Sequence, residues 1–528
     1  MNKNVFSSQQ ELTTNNAGGH AYKMSAKHAL AQLAVTGTFN GTYYVDAKSQ
    51  LEDVIKFANM CDPQFVMKVA IYARNSAYMK DMPAVLCAQL AARSKQDATA
   101  KDVLERNFHR IADNGKMVRN FVQAIRSGQF GRKSLGSMPK RLVERWFTDI
   151  SDERLFRNSI GNDPSIADLI KMVHPRPATK SREALYAYLL GKNKTSYDFD
   201  SLPDVVAKYE WFKFCRKDGV VQDIPNVPFQ MLTSLNLSEQ DWVSIARSLS
   251  WHETRMNLNT LSRHGVFKHE GIDQLVAERL KDKEAIQRAK VFPYQLLVAY
   301  KNTTEVPHMV REALQDAMEI ATNNVPAYDG KVYVCPDVSG SMSSPVTGNR
   351  GTASTTVRCI DVAALVTATI LRNNKDATVI PFETRVVNID LNPRDSVMTN
   401  ADKLSRIGGG GTSCSAPLSK LNSEKATGDL VIYVSDNESW FDSSYPFYNP
   451  SGKTVFQSEW NAFKTRNPKA KLVCIDITPN TTAQVKQHKD VLQVGGWSDN
   501  VFTVISEFLK SNGQSDYWTS IIENINLD

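Results

Sequence analysis

One change of rhythm constrains this chain more than any other feature. Up to about residue 330 the apolar residues recur at helical spacing. From Asp329-Gly330 onward they come in short, nearly continuous runs separated by helix-like stretches. A helical period and a buried-strand pattern cannot share one layer, so the chain must be built from two architectures. Its 528 residues leave room for that, since a domain typically takes about 150. The expected boundary divides 1–330 from 331–528, with residues 1–20 as a flexible start.

In the first part, Val66, Val69, Ala70, Ala73 and Ala77 mark a helix behind Pro63, whose fixed φ suits a first helical turn. Pro83 opens the next. Further helices are predicted near 99–111, 114–127, 138–149, 180–190, 203–216, 238–248, 251–262 and 307–322, joined by short Pro, Gly, Asn and Asp segments. Nothing here alternates strongly enough for a sheet. A long series of short paired helices suits an α-solenoid of the HEAT type, whose curved surface binds polymers or partners. An irregular helical domain without a groove is the plainer alternative. Trp146, Trp211 and Trp251 are read as helix-packing residues.

In the second part, the runs Val332–Cys335, Thr378–Phe382, Leu430–Val434 and Leu472–Ile477 are apolar throughout, as in parallel strands buried on both faces. Helix candidates Cys359–Asn373, Pro417–Ser423 and Glu459–Arg466 lie between them. The expected fold is a doubly wound α/β domain, in which ligands bind beyond the carboxyl ends of the strands. Three loops fall there: Asp337-Val-Ser339-Gly-Ser341, the glycine run Gly408–Gly411 leading into Thr412, and Ser435-Asp436-Asn437. Singly, each is commonly an ordinary turn. Together they offer two carboxylates and three hydroxyls, hard oxygen donors that suit a small hard dication such as Mg²⁺.

Charge is as unevenly divided as rhythm. Residues 1–330 hold 44 Lys and Arg against 36 Asp and Glu, whereas 331–528 hold 19 against 20. The excess concentrates in two clusters. Arg132, Lys133, Lys140, Arg141 and Arg145 face only Glu144, and Lys171, His174, Arg176, Lys180 and Arg182 stand without an acid. Such patches attract polyanions, because each neutralised phosphate releases condensed counterions. A solvated basic surface is the bland alternative.

With these motifs in hand, the chain resembles the Ro sixty-kilodalton autoantigen family and its bacterial relatives. Residues 331–511 resemble a von Willebrand factor A domain with its metal-ion-dependent adhesion site, the pattern falling on Asp337, Ser339, Ser341, Thr412 and Asp436. PDVSGSM, GGGGTSCSAPL and VSDNES are similar to the Ro versions of its loops. FVMKVAIYARNSAYMKDMPAVL, GRKSLGSMPKRLVERW and SIADLIKMVHPRP resemble that family's TROVE module.

The resemblance implies a ring of HEAT-like repeats closed by the A domain. Small Y RNAs would bind its outer basic face, and single-stranded ends of misfolded RNAs would thread its hole. Arg132, Lys133, Lys140, Arg141 and Arg145 would belong to the basic helix, and His174 would contact Y RNA. Ser339 and Ser341 would hold the ion directly. Asp337, Asp436 and Thr412 would act directly or through water, leaving one position for a partner's carboxylate. Mg²⁺ is the expected ion, with Mn²⁺ or Ca²⁺ as alternatives. An exoribonuclease such as polynucleotide phosphorylase is the implied protein partner, and a monomeric ring the implied state. Residue 413 is Ser where animal members carry Asp, and the basic stretch around Arg157 is thinner than theirs.

Two classes of function compete with RNA binding. An enzyme is disfavoured: only His488 lies beyond His308, Ser339-Gly340-Ser341 has no paired base, and GGGGTS lacks the lysine of a phosphate-binding loop. A protein-binding helical scaffold with a metal-dependent adhesion domain and no RNA role remains the alternative. Seven cysteines without a CxxC, no secretory h-region and no run of about 18 apolar residues lead to the expectation of reduced thiols, a cytoplasmic location and no membrane span.

Overall fold

A computed structural model describes the whole chain except residues 1–9, 38–39, 132, 193–197, 218–219, 221, 290–292, 304, 323–324, 326, 349–356, 445–452, 497, 499 and 512–514. Among the described residues, helices follow one another from Ala26–Thr36 to His308–Thr322, packing mainly on their sequence neighbours. Pro63–Asn75, Met82–Arg93, Gly115–Arg126, Ser137–Asp149 and Trp251–Arg263 lie close to the predicted positions. Several were not foreseen, among them Ala47–Met60 and Ile166–Val173. Their signal was in the caps: Asp46 accepts from the amides of Lys48 and Ser49, and Ser165 with Asp168 forms a reciprocal capping box.

The second part is the expected α/β domain. Its strands are β3 (Val332–Pro336), β4 (Thr378–Val379), β5 (Leu430–Ser435), β6 (Lys471–Asp476) and β8 (Val491–Gly495), all parallel, in the order β4-β3-β5-β6-β8. β3, β5 and β8 are buried along their whole length, as strands covered by helices on both faces must be. β4 is shorter than the predicted Thr378–Phe382. The chain leaves β3 toward β4 on one side and returns to β5 on the other, so the switch point lies at the carboxyl ends of β3 and β5.

A second, small sheet was missed. β1 (Leu12–Thr14) and β2 (His20–Lys23) form an antiparallel hairpin that pairs with β7 (Thr482–Ala483), beside β6 and β8. The stretch expected as a loose start is, from residue 10 on, part of the α/β domain's edge; residues 1–9 lie outside the described residues. Strands this short have too few positions to show alternation.

The helical series begins and ends on the α/β domain. At its start, Gln32 Nε2 donates to the Thr478 carbonyl at 3.0 Å, and the Tyr72 hydroxyl accepts from Asn500 Nδ2 at 2.6 Å and from Trp518 Nε1 at 3.1 Å. At its end, Lys301 Nζ reaches Asp361 at 2.7 Å, and Asn373 Nδ2 donates to the Val325 carbonyl at 2.8 Å. Burial alone pushes the Asp361 carboxyl up, but Arg358 and Lys301 outweigh it and hold the group below its usual range. The contacts thus run from one side of the α/β domain, through the helices, back to the other.

His28 sits in the first of these junctions. Its ring is buried edge-on against Trp518, and Nδ1 faces Gln487 Nε2 at 3.1 Å. Burial depresses its imidazole to about 4. The folded value lies below the ordinary 6.5, so the stability at stake is intact above that pH and lost as pH falls toward 4. The loss approaches about 3 kcal/mol by pH 4, at about 1.4 kcal/mol per unit. His28→Gln is expected to flatten the acid limb of a stability-against-pH curve between pH 6 and 4; an unchanged limb would show that another group controls it.

Candidate metal site and basic surfaces

Of the five residues named from sequence, Asp337, Ser339, Ser341 and Asp436 are linked by hydrogen bonds at the switch point, and Thr412 lies buried on a neighbouring loop. Asp337 follows β3, Asp436 follows β5, and Thr412 arrives on the glycine loop. Relative exposures of Asp337, Ser339, Ser341, Thr412 and Asp436 run from 0% to 5%. The Ser339 and Ser341 hydroxyls lie 3.2 Å apart, and Ser341 also hydrogen-bonds Asp436. Asp337 Oδ1 accepts from the Ser339 amide at 2.9 Å, and Oδ2 from the Ser435 hydroxyl at 2.6 Å. The Gly340 amide donates to the Gly410 carbonyl at 3.2 Å, joining two of the loops. Gly410 has φ +71°, a left-handed conformation that favours glycine.

The electrostatics point to a cation. Burial, then repulsion from Asp436, raises the Asp337 carboxyl to about 7, and burial raises Asp436. Two buried carboxylates facing each other across hydroxyl oxygens are unfavourable without a positive charge between them. Among the described residues no group of three or more His, Cys, Asp or Glu side chains is gathered for a metal. That accords with a donor set of two carboxylates and three hydroxyls. These residues therefore fit a hard dication.

Sequence reading missed what surrounds this set. Glu438 and Asp476 add two buried acids, at 2% and 3% exposure. Burial, then repulsion from Asp436, lifts Glu438 to about 7. Glu438 is held by the N-terminal hairpin: its carboxylate accepts from Asn16 Nδ2 at 2.7 Å and the Ala17 amide at 3.2 Å. Gly19 crosses so close to Ser439 that a Cβ would lie 1.9 Å from that carbonyl oxygen. From the other side, the Tyr44 side chain hydrogen-bonds Ser341. Its loop is anchored by Gln50 Nε2, which donates to the Asn40 carbonyl at 2.9 Å. Both partners lie hundreds of residues from the motif, so no local pattern reveals them. Ser413 Oγ, where animal members would carry Asp, donates to Asp442 at 2.6 Å, which puts an acid beside it.

Much of the two basic clusters lies on helices that touch, Ser137–Asp149 and Ile166–Val173 with the loop that follows; Lys133 precedes the first helix, and Lys180 and Arg182 are on the next, Lys180–Leu189. Lys133, Lys140, Arg141, Arg145, Lys171, His174, Arg176 and Lys180 are exposed; Arg132 lies outside the described residues. His174 ends its helix at φ 55°, a left-handed conformation that turns the chain out of the helix. Arg141 reaches Glu105 at 2.9 Å, and Arg145 reaches Asp149 at 3.6 Å; both pairs are exposed and weak.

Arg182 departs from the expectation. It is 8% exposed, ion-paired with Asp152, and donates to the Phe147 and Ile150 carbonyls. It ties three helices together and does not face solvent. Removing one partner of a buried pair leaves the other charge unpaired. Arg182→Ala should therefore cost about 3 kcal/mol in a denaturant melt, whereas Lys180→Ala on the same helix should stay within about 0.5 kcal/mol. Equal effects would mean that Arg182 is a surface residue after all.

A further set of cations was not read from sequence. Lys80, between two early helices, is depressed by desolvation and by the charges of Lys116, Arg74 and Arg255. Arg255 and His252 sit on the much later helix Trp251–Arg263. Burial lowers Arg255 to about 10, and burial, Arg255 and Lys80 lower His252. Lys80 and His252 are nonetheless exposed. Cations from the early helices and from the later helix Trp251–Arg263 are thus brought close enough to repel one another.

Comparison with known proteins agrees with this architecture. The Ro60 vWA domain model matches residues 331–509, and the TROVE domain model matches 254–326. A Deinococcus radiodurans protein named RNA-binding protein RO60 is 24% identical, covering 94% of this chain and 95% of its own. Both domains matched are those of the Ro sixty-kilodalton autoantigen family. A Caenorhabditis elegans protein of the same name is 25% identical over 44% of this chain and 36% of its own length. The crystal structure of the Deinococcus radiodurans RO (RSR) protein superposes with TM-score 0.63 at 19% identity, covering 92% of this chain and all of that one. The TROVE match takes in only the last helices; both basic clusters lie ahead of it. All seven cysteines of this chain are buried and form no disulfide, and no described helix is long and apolar enough to cross a membrane.

Proposed function

We propose that this chain is a non-catalytic RNA-binding ring. The observation that carries the reading is the pair of touching helices, with the loop after the second, whose exposed residues include Lys140, Arg145, Lys171, His174 and Arg176. A surface of that kind holds an RNA helix by shape and phosphate position. A Y-like non-coding RNA is its proposed occupant. Single-stranded ends of misfolded RNAs are proposed to bind at the cation cluster of Lys80, Lys116, His252 and Arg255. Cations that disfavour one another there would gain from phosphate. RNA on the outer face would obstruct access for other RNAs, so competition alone gates entry. The chain acts as a monomer in the cytoplasm, and by family resemblance its protein partner is an exoribonuclease such as polynucleotide phosphorylase.

The metal site is proposed to hold Mg²⁺ through Ser339, Ser341, Asp337, Asp436 and Thr412. Near-complete burial under Tyr44 and the N-terminal hairpin favours an ion that ties loops together over one left open to a partner's carboxylate. The test of RNA binding is direct. Purified protein should carry a high 260-nm absorbance that RNase removes, and sequencing that RNA would name the ligands. Protein that emerges free of RNA, and binds neither duplex nor single-stranded RNA at low salt, would leave the scaffold reading.

A further inference from the structure

Trp211 was expected to pack between helices, as Trp146 and Trp251 do; both of those are buried, and Trp251 Nε1 donates to the Leu280 carbonyl at 2.9 Å. Trp211 instead faces solvent at 55% exposure, with Phe214 beside it at 56%. The rings stack, centroids 5.6 Å apart at an interplanar angle of 22°. They lie on the helix Asp204–Lys217, whose outward stripe reads Asp204, Lys208, Trp211, Phe214, Lys217. Its inward stripe, Val205, Tyr209, Phe212 and Cys215, is buried without their help. The fold therefore does not require the two aromatics where they are.

We propose that Trp211 and Phe214 form a stacking platform for unpaired RNA bases, a reading that rests on the RNA-binding function above. Three features favour bases over a protein partner. The aromatics are flanked along the stripe by Lys208 and Lys217, placing cations where the phosphates of a stacked strand would run. Ring stacking with backbone neutralisation is how single strands are held without sequence readout. The exposed apolar patch is one helix stripe wide, far below the roughly 800 Å² per partner of a stable protein interface, yet ample for one or two bases. The helix also adjoins the proposed RNA face. Glu210 accepts from the Tyr188 hydroxyl at 2.6 Å and pairs with Lys213, so it is bound to the helix that begins at Lys180.

The test compares a blunt RNA duplex with the same duplex carrying a single-stranded extension, each bound to the full-length chain. In wild type the extension should raise affinity and quench tryptophan fluorescence. The double variant Trp211→Ala/Phe214→Ala should lose roughly ten- to a hundredfold in affinity for the extended RNA, with its salt slope and its affinity for the blunt duplex unchanged. Trp211→Phe should restore most of the loss, because the ring face remains. If the double variant keeps the wild-type preference for the extended RNA, or loses both RNAs alike, the platform is wrong and the RNA reading stands. If wild type binds neither RNA, the RNA reading fails and the platform with it. If the double variant instead changes the molecular mass in light scattering, the patch holds a second copy of the chain, which also overturns the proposal.

Discussion

Reversing four exposed charges together, Lys140, Arg145, Lys171 and Arg176 to Glu, should lower affinity for a structured RNA by a hundredfold or more, about 3 kcal/mol, without unfolding the protein. The four side chains are exposed, and among the described residues only Arg145 is seen in an ion pair, a long one to Asp149. Each reversal should therefore leave stability within about 0.5 kcal/mol. The decisive readout is the salt dependence. If each cation neutralises one phosphate, the slope of log K against log salt should become shallower by roughly three, at about 0.7 to 0.9 per contact. Filter binding across a salt series measures it. An unchanged slope with reduced affinity would mean that the introduced acids act at a distance and that the true phosphate contacts lie elsewhere.

Metal removal should have the second large effect. Without an ion, Asp337 and Asp436 are buried and repel each other. With one, the same carboxylates become ligands. An ion at a hundred times its dissociation constant should stabilise the fold by about 2.7 kcal/mol. That corresponds to a rise of roughly 5–10 °C in the melting temperature of a domain of this size. Chelation should reverse the rise. Asp436→Asn should abolish the metal response and also make the metal-free protein more stable than metal-free wild type, because one buried charge is gone. Calorimetry with and without Mg²⁺ reads both effects. A variant that still responds to Mg²⁺ like wild type would place the ion elsewhere.

The proposed metal ligands were the most legible part of the chain. Asp337 and Asp436 each follow an apolar run long enough to be a buried strand, and strand ends in a parallel sheet converge at the switch point; Thr412 was marked instead by the glycine run before it, which follows the helix Val397–Ser405. The long helices were legible for a similar reason: their period is local. Arg182 was misjudged because its neighbours in sequence are basic, whereas its neighbours in space are Asp152 and two carbonyls. Trp211 was misjudged in the opposite direction, because residue type says that tryptophan is apolar but not which side of a helix has already been filled.

The sequence by itself therefore determined the two architectures and the uneven charge, and it supplied the five oxygen donors proposed to hold an ion, all of which are written in windows of a few to twenty residues. Only the tertiary structure decided that the N-terminal hairpin and Tyr44 cover the proposed metal site, that Lys80 lies near His252 and Arg255, and which basic residues meet solvent. Those outcomes depend on contacts between segments hundreds of residues apart. Such contacts are selected by shape and charge complementarity after the elements have formed, and no local spacing carries them.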